Sequence, residues 1–90
     1  MAKSNEIISV FGRVQGVGFR YSAHQAATGL GLCGFVRNEP DGSVTIETEG
    51  PKEQINMLIE WCRKGPARAE VHEIKHYPGQ LMNYTSFRIR

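Results

Sequence analysis

An α+β fold is predicted for this chain, with elements in the order strand, helix, strand, strand, helix, strand. Three observations carry the prediction. An early apolar run passes through Gly16 and Gly18 into a helical pattern. Two β-rich runs flank the turn sequence Pro40-Asp41-Gly42, and a second helical stripe follows Gly50-Pro51. Runs of period two and of period 3.6 therefore succeed one another along the chain.

Each element has its own signal. Glu6 to Val14 is rich in β-branched and apolar residues and reads as the first strand. Phe19, Ala23, Ala26, Ala27 and Leu30 then recur at helical spacing, and Gly29 and Gly31 end that helix. Cys33 to Asn38 is the second strand. After the turn, Val44, Ile46 and Thr48 alternate with Thr45, Glu47 and Glu49 in a third, so these two strands form a hairpin. Pro51 opens the second helix where no N–H is needed, and Ile55, Leu58, Ile59 and Cys62 form its apolar stripe. Arg63, Lys64, Gly65 and Pro66 close it. Ala69 to Tyr77 contains a fourth strand in which Val71 and Ile74 alternate imperfectly. Phe87 to Arg90 adds a short fifth after a loop through Pro78 and Gly79.

This βαββαβ order is a split βαβ of ferredoxin-like type, an antiparallel sheet with two helices on one face. The first two strands run parallel, joined by a right-handed crossover, with the third inserted antiparallel between them. Their carboxyl ends share one edge, where open sheets of this kind bind ligands.

Ninety residues with 40% hydrophobic content make a single domain spanning 1–90 around one modest core. The net charge of +2 is scattered, which argues against a nucleic-acid or membrane surface. Met1-Ala2-Lys3-Ser4-Asn5-Glu6 lacks the apolar core of a signal peptide, and no stretch approaches the ~20 apolar residues that span a bilayer. A cytoplasmic monomer is the expectation. Cys33 and Cys62 stand in apolar contexts and read as buried reduced thiols.

The run Gly12-Arg13-Val14-Gln15-Gly16-Val17-Gly18-Phe19-Arg20 has the layout of an anion-binding loop. Gly16 and Gly18 permit backbone conformations that turn N–H groups toward one point, and the following helix adds unpaired donors and the positive end of its dipole. Arg20 sits in the first helical turn, where a cation is disfavoured by about 0.3 to 1 kcal/mol. A rule broken beside such a loop points to an anionic ligand. Neither nucleotide motif is present, since Phe19-Arg20 follows Gly18 where a Walker loop has Lys and Ser or Thr, and Tyr21 occupies the third glycine position of a dinucleotide fingerprint.

This run resembles the first signature of the acylphosphatases. Gly34-Phe35-Val36-Arg37-Asn38, followed by Asp41-Gly42-Ser43-Val44 and Gly50, is similar to the family's second signature, and Phe87-Arg88-Ile89-Arg90 to its ending. The resemblance covers essentially the whole chain. It implies a hydrolase that cleaves acyl phosphates to a carboxylate and inorganic phosphate, without metal or cofactor. The resemblance further implies that the N–H groups of Gln15, Gly16, Val17, Gly18, Phe19 and Arg20 cradle the phosphoryl group. In the same way it implies that Arg20 clamps that group and Asn38 orients the attacking water. Phe35 stands where a larger aromatic is frequent, and Glu39 sets a carboxylate beside Asn38.

Plainer roles compete for each residue. Asn38 could cap the turn into Glu39-Pro40, although alternation from Val36 sends it toward the helices. Arg20 could be a solvated helix arginine, and the Gln15 side chain could serve loop geometry instead of substrate. His24 reads as a helix-surface histidine, and Trp61 and Tyr77 as core or border aromatics. His72 and His76 on a strand lie roughly 13 Å apart, too far to share a metal. Two other functions compete with hydrolysis. An RNA-binding sheet would need basic and aromatic residues where Gly31, Cys33 and Asn38 stand. A non-catalytic anion-binding domain would keep the cradle without turnover. No residue pattern marks a pocket for the acyl group.

Overall fold

The computed structural model describes residues 2–90. Its elements are β1 (Ser4–Arg13), α1 (Phe19–Gly29), β2 (Cys33–Asn38), β3 (Val44–Gly50), α2 (Lys52–Lys64), β4 (Glu70–Pro78) and β5 (Phe87–Ile89). The strands form one sheet in the order β4-β1-β3-β2-β5. β3 pairs antiparallel with both β1 and β2, so β1 and β2 run parallel with their carboxyl ends on one edge, as the element order predicts. The four longer strands pair antiparallel throughout, as expected, and the short fifth strand β5 pairs parallel with β2, which makes the complete sheet mixed.

Alternation decides what each strand buries. Ile8 and Val10 of β1, Val36 of β2 and Val44 and Ile46 of β3 face the same side and form one core with Phe19, Ala23 and Ala27 of α1 and Ile55, Leu58, Ile59 and Cys62 of α2. α1 ends in a Schellman motif, with Gly31 at φ +74°. Leu32 N donates to Ala27 O at 2.9 Å and Gly31 N to Thr28 O at 3.0 Å. Leu32 is buried beside that cap, so the helix stops where an apolar contact fixes its exit. Among the described residues no helix is long and apolar enough to cross a membrane.

The imperfect alternation of Val71 and Ile74 has a structural cause. Phe11 pairs with Glu73 and Gly12 with Val71, leaving His72 as an extra residue on β4. Gly12 accommodates this bulge at φ +131°, where a Cβ would overlap the Glu70 carbonyl and stand 2.8 Å from His72 N. The bulge lets Val71 and Ile74 both pack on the core despite their odd spacing. One expectation needs correcting, since Cys33 is only half-buried while Cys62 is fully buried; Tyr77, 55% exposed on the outer strand, takes a border position and not a core one. Trp61 does pack on the core, edge-on to Phe19 at 5.5 Å between centroids.

The segment 79–86 joins the two outer strands and is tied to the sheet by buried polar groups. Asn5, Glu47 and Glu49 alternate out of phase with Ile8 and Ile46 and so face away from the helices. The Glu49 carboxylate, 2% exposed, accepts hydrogen bonds from Asn5 Nδ2 at 2.9 Å, from Tyr84 N at 3.0 Å and from Met82 N. Burial pushes its pKa upward, but those donors outweigh burial and hold it below the ordinary 4.5. A carboxyl with a depressed folded pKa stabilises fully above its unfolded value and loses that stabilisation as pH falls through the folded one. Glu49→Gln is therefore expected to cost about 2 kcal/mol at pH 7 and to flatten the fall in stability below pH 4.5. Urea unfolding across that range checks it, and an unchanged acid slope would remove Glu49 from the acid response.

Candidate active site

The loop between β1 and α1 is built by alternation of buried side chains with glycines. Val14, Val17 and Phe19 are buried in the core, while Gly16 at φ +73° and Gly18 at φ +78° take left-handed conformations that reverse the chain between them. Gly18 is the residue at which α1 begins, and its carbonyl accepts the first helical bond from Ser22 N at 3.0 Å. No side chain caps this helix and no acidic residue occupies its first turn, so the donors at its start are not met from within the helix. α2 differs in carrying Glu53 in its first turn and Arg63 and Lys64 in its last, the arrangement its dipole favours.

Gly16, Gly18, Phe19, Arg20 and Asn38 line one cavity of about 210 Å³, and Val14, Tyr21 and Ile89 complete its wall. Five of the residues singled out in the sequence thus meet at one place. Gln15 and Val17 do not line it. Val17 points into the core, and the Gln15 side chain donates to Glu39 O at 2.8 Å and Ser43 O at 2.9 Å. Gln15 thereby joins the glycine loop to the turn after β2 and fixes the distance between the loop and the strand end that carries Asn38.

Arg20 Nη1 donates to the Arg90 backbone oxygen at 3.0 Å, which orients the guanidinium at the cavity wall. Asn38 follows Val36 on the helix side of β2, as alternation requires, and is exposed at the cavity. The turn beyond it is closed without the Asn38 side chain. Glu39 N donates to Ser43 O at 2.8 Å, and Ser43 N and Oγ donate to Asp41 Oδ1 at 2.9 and 2.6 Å. Those bonds also hold the Asp41 carboxyl below its usual range. Glu39, next to Asn38, accepts from Arg37 Nε at 2.8 Å, and this bond together with one from Thr45 keeps its carboxyl ionised below the ordinary glutamate range. The negative charge beside Asn38 is accordingly paired.

The remaining candidates lie elsewhere. His24 is half-buried, edge-on to Phe87 at 5.9 Å, and is not part of the cavity wall. His76 Nδ1 lies 2.6 Å from Glu6 Oε2, and among the described residues no cluster of His, Cys, Asp and Glu is arranged to hold a metal ion. Burial pushes the Cys62 thiol up to about 12, which makes it a poor nucleophile. Sequence reasoning missed Tyr21 and Ile89. Tyr21 adjoins Arg20, and Ile89 lies in the terminal run already noted as a strand, but only the folding of β5 beside β2 brings them to one rim.

A family model described as Acylphosphatase matches residues 7–89. An acylphosphatase of Marinobacter nauticus is 54% identical over 81 residues, covering 88% of this chain and 87% of that protein. The structure of an acylphosphatase from Coxiella burnetii superposes with a TM-score of 0.95 at 34% identity, covering 98% of this chain and 93% of that one. That of an acylphosphatase from Bacillus subtilis gives 0.93 at 36% identity over 96% and 97% of the two chains.

Gln15→Ala should cost about 1 to 2 kcal/mol, since it leaves the Glu39 and Ser43 carbonyls short of a partly buried donor. Urea unfolding measures this, and an unshifted midpoint would show that the strut between loop and turn carries no stability.

Proposed function

The chain belongs to the acylphosphatase family and hydrolyses acyl phosphates, and on that premise we propose how its own residues divide the work. The N–H groups of the loop Gln15 to Arg20 surround the phosphoryl oxygens, Arg20 donates to two of them, and Asn38 holds the water that attacks phosphorus. The observation that supports this reading is the meeting of Gly16, Gly18, Arg20 and Asn38 at one cavity, from elements far apart in sequence.

The chemistry asks for little beyond placement. An acyl phosphate already carries a good leaving group, so holding water in line and stabilising charge on the phosphoryl oxygens lowers the barrier without a protein nucleophile. The water oxygen forms a bond to phosphorus as the bond from phosphorus to the acyl oxygen breaks. The electron pair leaves with the carboxylate, and a phosphoryl oxygen of the substrate takes the water's proton. An amide suits Asn38 to its part, because it donates and accepts without removing a proton. Arg20 keeps its charge at any working pH, and its planar fork matches two oxygens at once. Its bond to the Arg90 oxygen fixes the fork before substrate arrives.

Hydrolysis of benzoyl phosphate, followed by its ultraviolet absorbance and inhibited competitively by inorganic phosphate, tests the assignment. Asn38→Ala should lower kcat by about two to three orders of magnitude while the phosphate inhibition constant changes little. Near-normal turnover would return Asn38 to a role in the turn. Arg20→Lys should be nearly as damaging as Arg20→Ala in both turnover and phosphate affinity, because lysine retains the charge without the fork. A lysine variant with most of its activity would show that Arg20 supplies only a diffuse positive field.

A further inference from the structure

The cavity wall contains two residues that the placement of phosphate and water leaves without a task. Tyr21 is 62% exposed and Ile89 is 44% exposed, yet both are large apolar residues and both border the cavity. They reach it independently: Tyr21 comes from the first turn of α1, next to Arg20, and Ile89 from β5, where it pairs with Val36. Tyr21 is also held in place, since Gln25 one turn along the helix donates through Nε2 to its hydroxyl at 3.2 Å.

Charge narrows what such a rim can receive. Among the described residues Arg20 is the one charged residue in that wall. The cations beside the wall residues in sequence do not extend the wall: Arg13 lies 3.8 Å from Glu70, and Arg88, paired with Phe35, alternates to the sheet face opposite Ile89. Arg37 pairs with Glu39 at 2.8 Å, and the Arg90 guanidinium lies 4.2 Å from the centre of the Phe35 ring, on the sheet face away from the helices. An acyl group carrying its own carboxylate would find no partner at the rim beyond the arginine already assigned to the phosphoryl group.

We propose that Tyr21 and Ile89 form the binding surface for the acyl group, and that the preferred substrates carry an uncharged apolar acyl group, aromatic ones above all. The inference rests on the reading that the loop and Arg20 hold the phosphoryl group. A substrate anchored there must direct its acyl portion out of a cavity this small, and these two side chains are the apolar surface at its mouth. An aromatic ring stacked on Tyr21 removes apolar surface of both partners from water, which a methyl group does to a much smaller extent.

The test is the set of kcat/KM values for benzoyl, acetyl and succinyl phosphate in the unmodified enzyme, Tyr21→Ala and Tyr21→Lys. Exposure of Tyr21 makes both variants compatible with folding. Tyr21→Ala should lower the benzoyl to acetyl ratio about five- to tenfold. Tyr21→Lys should raise the succinyl to benzoyl ratio about tenfold or more by supplying the cation the rim lacks. Ratios that stay put in both variants, with all three substrates still hydrolysed, overturn the acyl site and leave the phosphoryl assignment standing. A folded, unmodified enzyme that hydrolyses none of them overturns both.

Discussion

Between Val14 and Phe19 the chain must bury three apolar side chains while turning from a strand into a helix, and the site depends on how it does so. Val14, Val17 and Phe19 all enter the core. Gly16 and Gly18 stand between them at positive φ, a conformation that residues bearing a Cβ rarely adopt. With the side chains turned inward, the backbone of the loop is left as the surface facing the cavity. Magnitudes explain why Arg20 is tolerated at the helix start. Burying Phe19 gains about 2 to 3 kcal/mol, more than the 0.3 to 1 kcal/mol by which a cation there opposes the helix dipole. The apolar anchors therefore decide where α1 begins, and Arg20 is carried to the cavity with them.

The rest of the fold supplies what the loop lacks. Inserting β3 between β1 and β2 brings the carboxyl end of β2, with Asn38, alongside the glycine loop. The Gln15 side chain then spans the gap to the turn after Asn38. β5 contributes from the other flank through Ile89 in the cavity wall, and the Arg90 oxygen beyond it orients Arg20. That short strand is reached by the segment 79–86, which Glu47 and Glu49 tie to the sheet face opposite the helices.

Features governed by local periodicity were legible in the sequence. The glycine loop, the two helices, the hairpin about Pro40-Asp41-Gly42 and the alternation that sends Asn38 toward the helices all follow from neighbours in the chain. Features set by distant partners were not. The bulge at His72 depends on the close approach of Gly12 to Glu70 across the strand pair, and no pattern within β4 alone announces it. The parallel pairing of β5 depends on where the segment 79–86 crosses, which is fixed by carboxylates on β3. Cys33 looks as apolar in context as Cys62, but it lies on the sheet face that carries no helix and is only half covered. Tyr21 and Ile89 are far apart in the chain, and nothing short of the folded sheet marks them as neighbours.

The central claim is that backbone amides of the glycine loop, with Arg20, form the phosphoryl site. Amide-resolved NMR during titration with inorganic phosphate tests it most directly. Saturable shifts confined to the amides of residues 15–20, with the Arg20 guanidinium and the Asn38 side chain moving in step, are the expected result. Shifts that leave this loop untouched, or that appear instead on another face of the sheet, would contradict it.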